Sequence, residues 1–357
     1  MNRPPLRFAL AGTGFWSRYQ LHGWRELPGC ECVALYNRTR SKAENLARDF
    51  GIPADRVYDD YEKMLDREND RAAGRRLDFV DIVTGVEQHA PLTKLAADRR
   101  LSVVCQKPLA EDLSVAERMV ADCRQLGIPL LVNENWRWQP QIRAFAAALD
   151  THREKLGRLW RAHITYANSF PVFENQPFLR ELDRFILMDI GTHLLDVMRF
   201  LFGEAESVFA RAHRVTPGIR GEDAVSALFA MQNGMTVYTD LSYASRVPGE
   251  RFPEAFITAE GEDASLSLGF DFKIRLVTKE GILTTRHAPP WYPWADSRYA
   301  VVHASIVAAQ RNLLAALRGE AEAETTGTDN LRTLRHVAAC YESIARGAIT
   351  SIPNKER

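Results

Sequence analysis

The stretch Leu6–Ala11 reads as a short apolar strand and runs without a spacer into Gly12-Thr13-Gly14. A helix pattern follows at once, from about Phe15 to Leu27. A strand that turns on glycines straight into a helix opens a βαβ unit, because so tight a turn needs residues without a Cβ. The pattern then repeats. Cys32–Tyr36 reads as a strand, and Ser41–Phe50 as a helix closed by Gly51 and Pro53. Phe79–Thr84 is a strand, apolar apart from Asp81, and His89–Arg99 is a helix. Leu101–Cys105 and Ile128–Val132 are strands, with a helix between them that ends near Leu126. Ser114 and Glu117 have capping-box spacing and are expected to open that helix. Short strands alternating with helices of this length pair in parallel through right-handed crossovers, which gives a doubly wound parallel sheet.

After Asn133 the texture changes. A helix is expected from Pro140 to Asp150, followed by longer alternating strands at Leu159–Asn168, Ser207–His213, Val225–Met231, Thr236–Tyr243, Ala255–Ala259, Ile274–Lys279 and Ile282–Arg286. Turn signals such as Gln232-Asn233-Gly234 and Glu260-Gly261-Glu262 join them. One strong helix, about Asp189–Phe202, interrupts the strands, and two more, about Ala300–Leu317 and Asp329–Gly347, close the chain. A chain of 357 residues is also too long for one ordinary core. The expected architecture is an α/β Rossmann domain over residues 1–133, and an α+β domain over residues 134–357 with a large, mostly antiparallel, open-faced sheet.

Lys plus Arg is 46 and Asp plus Glu is 46, so the formal net charge is zero. No basic field points to nucleic acid or to an anionic membrane. Met1-Asn2-Arg3-Pro4-Pro5 leads directly into the first strand with no apolar leader, and no run of the sequence is expected to span a membrane. The 5 scattered cysteines read as reduced thiols, and no His/Cys cluster supports a metal site. These features suit a cytoplasmic enzyme for a small molecule, or a soluble binding protein.

Three constellations carry chemistry. Gly12 and Gly14 have dinucleotide-fingerprint spacing: the first permits the turn, and the second lets the backbone approach a pyrophosphate on the helix N-terminus. The third small position is Ser17, where glycine or alanine is usual. At the end of the second strand stand Asn37 and Arg38, where a carboxylate would mark a free ribose 2′-hydroxyl, so NAD and NADP both stay open. Lys107, placed before Pro108, ends the strand that begins at Leu101, on the sheet edge where ligands bind. By itself it fits a surface lysine as well as one that polarises a substrate oxygen. Asp189 and His193 are four apart on one helix face, with Asp196 a second carboxylate within reach of His193. That spacing fits an acid–base relay, and it equally fits a helix capped by Asp189 around a core histidine. Gly191 between them would let a ligand approach closely.

Taken together, these pieces resemble the glucose–fructose oxidoreductase/inositol dehydrogenase/MocA family. Ala11-Gly12-Thr13-Gly14-Phe15-Trp16 is similar to its cofactor turn, Gln106-Lys107-Pro108-Leu109 to its Glu-Lys-Pro motif, and Asp189-Ile190-Gly191-Thr192-His193 with Asp196 to its Asp-x-Gly-x-His-x-x-Asp helix. Glu134–Trp138 and Phe185–Gly203 also resemble a bacterial subgroup that includes apiose dehydrogenase. The resemblance implies an NAD(P)-dependent dehydrogenase acting on a hydroxyl of a sugar, inositol or related polyol. In it Lys107 binds the reacting hydroxyl, His193 is the general acid/base and Asp189 its relay partner. It implies cofactor contacts at Gly12, Gly14, Phe15, Trp16, Asn37, Arg38, Thr84, His89, Gln106 and Lys107. Two departures stand out: the segment Thr84–His89 lacks the family's proline, and Gln106 replaces a glutamate. The resemblance places Asn135, Arg137 and Trp138 at the substrate with Lys107, Asp189 and His193. Trp136 and Trp138 would suit the apolar face of a sugar, or simply interior packing. It further implies a homodimer or homotetramer through the C-terminal sheet. Two alternatives share the fold: an NAD-dependent glycoside hydrolase, and a non-enzymatic regulator that binds dinucleotide and sugar. The intact Lys107, Asp189 and His193 set argues against the regulator.

Overall fold

The computed structural model describes residues 3–248 and 252–353. Its contacts divide the chain into two compact units, Met1–Glu134 with Ile306–Leu331, and Asn135–Ser305 with Arg332–Arg357.

The first unit opens with β1 (Leu6–Ala11), α1 (Phe15–Arg25), β2 (Cys30–Tyr36) and α2 (Arg40–Phe50). It continues with β3 (Val57–Tyr58), α3 (Tyr61–Glu68), β4 (Phe79–Ile82), α4 (His89–Asp98), β5 (Ser102–Gln106), α5 (Leu113–Leu126) and β6 (Leu130–Asn133). The six strands form one parallel sheet in the order β3-β2-β1-β4-β5-β6. The central strands are buried on both faces, which is why they read as unbroken apolar runs instead of alternating ones. The short pair β3 and α3 went unread because Tyr61, Met64, Leu65 and Glu68, its buried stripe, sit in a charged octapeptide. Helix α5 begins at Leu113 and not at Ser114: the Asp112 carboxylate accepts from the Ser114 backbone N–H at 2.7 Å, so Asp112 is the cap.

Residues 306–331 pack with this unit, where the sequence had grouped them with 134–357. The reason is local complementarity. Gly23 on α1 leaves a gap in which the Gln310 side chain sits, and Gln310 Nε2 donates to the Gln20 carbonyl at 3.1 Å. Thr325 and Val132 exchange two hydrogen bonds of 2.8 Å, which extend the sheet edge at β6.

The second unit contains α6 (Pro140–Thr151), α7 (Arg153–Leu156), β7 (Leu159–Ala167), α8 (Val172–Asn175), α9 (Ile186–Phe202), β8 (Ala205–His213), β9 (Ala224–Met231) and β10 (Thr236–Ser242). After these come β11 (Phe256–Gly261), β12 (Ser265–Gly269), β13 (Lys273–Thr278) and β14 (Gly281–Arg286). The chain closes with α10 (Ala300–Leu317), α11 (Gly327–Arg346) and β15 (Thr350–Ser351). Nine strands form one sheet in the order β14-β13-β12-β11-β7-β10-β9-β8-β15. Every pairing is antiparallel except β7 with β10 at the centre, which is parallel. Helix α9 packs on β7, β9 and β10 and is buried along almost its whole length. The expectation of no membrane-length run is corrected at Ser297–Leu317, the one helix among the described residues long and apolar enough to cross a membrane. Most of it is buried within the protein, as a core helix must be.

Asp81, the one charged residue of β4, is fully buried. Trp24 Nε1 donates to its Oδ2 at 2.7 Å and Asn133 Nδ2 to its Oδ1 at 2.9 Å. Burial pushes its carboxyl up from 3.8 to about 7, against the pull of those two donors. A carboxyl raised on folding contributes stability that is complete below its unfolded value and is lost as pH rises through about 7. Between pH 5 and pH 8 the melting temperature of the wild-type chain should therefore fall further than that of Asp81→Asn. Thermal unfolding of both proteins across that range measures the difference, and parallel curves would contradict it.

Candidate active site

The turn after β1 is built around one missing atom. Gly12 has φ +101°, and a Cβ there would lie 2.2 Å from the Val83 carbonyl oxygen. Its N–H donates to the Tyr36 carbonyl at 2.8 Å, so the turn is fastened to the end of β2. Gly14 differs: its φ of −74° is open to any residue, and a Cβ there would meet nothing within 4 Å. It occupies the N-cap position of α1, where no side chain caps the helix and no acidic residue stands in the first turn. The first N–H groups of α1 therefore face an uncapped space suited to an anion. The Thr13 hydroxyl is buried with no hydrogen-bond partner among the described residues. Ser17, at the third small position, is buried with its Oγ 3.5 Å from the Val83 carbonyl.

Lys107 follows the last residue of β5, and its peptide bond to Pro108 is cis. The Lys107 backbone N–H donates to Gln106 Oε1 at 3.0 Å, whereas Gln106 Nε2 is buried without a partner among the described residues. His89 underpins this corner. Its Nδ1 lies 2.9 Å from the Pro108 carbonyl and its Nε2 3.3 Å from the Thr84 carbonyl. Burial lowers its pKa, against the backbone carbonyls of Pro108 and Thr84, which act to raise it.

In the second unit, Asp189 lies in the first turn of α9, where the helix dipole favours a carboxylate. It is not the cap. Glu222 Oε1 accepts from the Phe185 and Leu187 backbone N–H groups at 3.2 and 3.1 Å, and from the Tyr341 hydroxyl at 2.8 Å. Glu222 thus meets the helix start from the loop before β9, and the capping does not fall to Asp189. His193, one turn on, is 5% exposed, and the Trp136 ring stacks on it at 4.9 Å with an interplanar angle of 8°. Tyr166 abuts the far side of this stack, its ring 5.4 Å from Trp136 and 5.8 Å from Tyr243. The imidazole is thereby held in one plane by packing.

Residues 6–134 match the family described as an oxidoreductase family with an NAD-binding Rossmann fold, and residues 132–267 match the GFO/IDH/MocA C-terminal domain. The chain is 38% identical to a D-apiose dehydrogenase of Paraburkholderia graminis over 98% of its own length and 90% of that protein. It is 35% identical to the D-apiose dehydrogenase of Rhizobium rhizogenes over 99% of each. A solved oxidoreductase from Agrobacterium radiobacter, in complex with NAD+, L-tartaric acid and magnesium, superposes with a TM-score of 0.91 at 35% identity, covering 97% of this chain and 98% of that one. The chain belongs to the GFO/IDH/MocA oxidoreductase family.

As a GFO/IDH/MocA member it has an NAD-binding Rossmann domain, and the residues present fit such a group. Gly12 forms a cradle that a Cβ would fill, the start of α1 is uncapped, and the Thr13 and Gln106 side chains each present a buried polar atom to satisfy. Phe15 is 71% exposed beside the turn, Trp16 is half-buried, and Asn37 and Arg38 lie at the open end of β2 with no carboxylate between them. Asn37 Nδ2 donates to the Thr39 carbonyl at 3.0 Å.

Four of the residues singled out in the sequence are engaged within the protein. His89 is 1% exposed, and its ring spans the Thr84 and Pro108 carbonyls. Arg137 is buried and grips Asp196 with two hydrogen bonds of 2.8 and 2.5 Å, so both residues hold α9 to the Trp136–Trp138 turn. Asn135 is buried too, with Nδ2 donating to Ser305 Oγ at 2.7 Å. A Cβ at Gly191 would meet the Leu187 side chain at 2.8 Å. Trp138 remains half-buried, with the Arg143 guanidinium 4.4 Å above its ring. Sequence reasoning missed Glu222, whose only signal was an acid preceding a strand, and the Asp81 cluster, whose signal was a charge inside an apolar run.

The two glycines separate fold from binding. Gly14→Ala should leave the melting temperature unchanged, since its Cβ meets nothing, yet weaken NADH binding by roughly tenfold or more because the backbone can no longer approach the pyrophosphate. Titration of NADH fluorescence alongside thermal unfolding checks this, and unaltered affinity would refute it.

Proposed function

We propose that this protein is an NAD- or NADP-dependent dehydrogenase that oxidises a hydroxyl of a sugar or related polyol, with D-apiose the first substrate to test. The observation that carries the reading is likeness along nearly the whole chain to two D-apiose dehydrogenases, at 38% and 35% identity. The chemistry of Lys107, Asp189 and His193 supports it. Bound nicotinamide would supply the hydride acceptor. The rest falls to the chain's own side chains. His193, its ring fixed by Trp136, is the group to take the hydroxyl proton. Asp189, on the same helix face, stabilises the imidazolium so formed. The Lys107 ammonium favours the oxyanion that develops as the proton leaves. With no carboxylate beside Asn37 and Arg38, both cofactors belong in the assay.

The expected outcome for Lys107→Ala and His193→Ala is a fall in kcat of ~10²–10⁴-fold with NADH affinity kept. The assay is absorbance of the reduced nicotinamide with D-apiose, D-xylose and scyllo-inositol, using NAD and NADP in turn. Near-normal turnover in both variants would sink these roles.

We also propose that the protein assembles as a homodimer or homotetramer through the open face of its nine-stranded sheet. Phe209, Leu228, Tyr238 and His163 follow one another in register across β8, β9, β10 and β7 on that face. Leu228 and Tyr238 are 38% and 41% exposed, an apolar row that association would cover. Leu228→Asp combined with Tyr238→Asp should yield a smaller species in sedimentation analysis, and an unchanged mass would reject this face.

A further inference from the structure

The two tryptophans that the sequence offers to a sugar face are already occupied. Trp136 is 3% exposed and stacked on His193, and Trp138 lies beneath Arg143. A second aromatic group in the same unit is differently placed. Phe170 and Phe252 stack on each other at 3.7 Å with an interplanar angle of 8°. Tyr299 stands edge-on to both, at 6.3 and 5.5 Å. The row continues through buried His303, 5.9 Å from Tyr299, to Trp294, 5.8 Å further on. Phe170, Phe252, Tyr299 and Trp294 are all half-buried. They come from three separate loops, which is costly apolar exposure if nothing covers it.

Two observations tie this row to a ligand. Asn168, between β7 and Phe170, is 1% exposed. Its Oδ1 accepts from the Phe170 backbone N–H at 3.0 Å, but its Nδ2 is buried with no partner among the described residues. A buried amide donor without an acceptor is uncommon and costs free energy until something satisfies it. The row is also tied to the His193 stack through Tyr243, whose ring lies 5.8 Å from Tyr166, itself 5.4 Å from the Trp136 that stacks on His193. Asn168 and Tyr243 begin the loops that leave β7 and β10, and the Asn168 N–H donates to the Ser242 carbonyl at 3.0 Å.

We infer that Phe170, Phe252, Tyr299 and Trp294, with the Asn168 amide, form the wall that recognises the ring of the sugar and sets substrate preference. The inference rests on the dehydrogenase reading. A cyclic sugar has an apolar C–H face and a rim of hydroxyls. Half-open aromatic rings beside one unsatisfied donor complement both features, whereas an acyclic polyol presents no such face.

The test is steady-state kinetics of the full chain with D-apiose, D-xylose and scyllo-inositol, alongside thermal unfolding. Tyr299→Leu, Trp294→Leu and Asn168→Ala should each raise the KM for the ring substrate about tenfold. The loss should fall on KM and not on kcat, and the KM for the nicotinamide cofactor should stay put. Tyr299→Phe, which keeps the ring, should restore the sugar KM. Unmoved sugar KM in folded variants overturns the inference alone. So does a joint decline of kcat, both KM values and melting temperature, which marks a structural cluster. If Tyr299→Leu does not fold, Trp294→Leu at the outer end of the row decides by the same criteria. A wild-type chain that reduces neither NAD nor NADP with any of the three compounds overturns the dehydrogenase reading, and this inference with it.

Discussion

The Val83 carbonyl occupies the place where a side chain at residue 12 would begin. Because Gly12 has none, the end of β1 can lie against the end of β4, and Val83 N–H donates to the Ala11 carbonyl at 2.7 Å. The same Val83 oxygen lies close to the Ser17 hydroxyl on α1. Two strand ends and a helix start are thereby fixed around one peptide group. The uncapped N–H groups of α1 owe their direction to this contact, and with them the fitness of the first unit for a dinucleotide. Any β-carbon at position 12 would have to displace backbone, which cannot yield as a flexible side chain does.

The second unit solves a different problem: a helix that carries polar chemistry must still be almost wholly interior. Helix α9 does so by delegating its needs. Glu222 satisfies its first N–H groups, Arg137 neutralises Asp196, and Trp136 covers the His193 ring. Removing one member of a buried ion pair such as Arg137–Asp196 commonly costs ~3–5 kcal/mol, so these partners constrain the helix as firmly as its apolar packing. What looks in sequence like a cluster of reactive polar residues is in large part engaged in holding the helix in place.

The strand–helix alternation, the parallel first sheet and the mostly antiparallel second one were legible because burial on two faces or one writes itself into apolar periodicity. The glycine turn and the Asp189–His193 pair were legible because their spacing is local. Partnerships across long separations were not. Nothing near Arg137 announces that its guanidinium belongs to Asp196, 59 residues later, and nothing near Asn135 points to Ser305. Short elements also escaped: β3 has two residues, and β12, Ser265–Gly269, alternates small serines with leucines in a segment full of turn residues. The cap of α5 was misplaced by two residues because Asp112 and Ser114 both have capping side chains, and only geometry chooses between them.

The parallel pairing of β7 with β10 is the one exception in a sheet otherwise built from antiparallel neighbours. Its effect is directional. Two central strands release their chains at the same edge, so the loops beginning at Asn168 and Tyr243 share one rim, while the flat face that carries Leu228 and Tyr238 points elsewhere. Loop sequence at the rim can drift without disturbing the register that orders the face. A single strand orientation thus lets the loops of the rim and the side chains of the face change independently of each other.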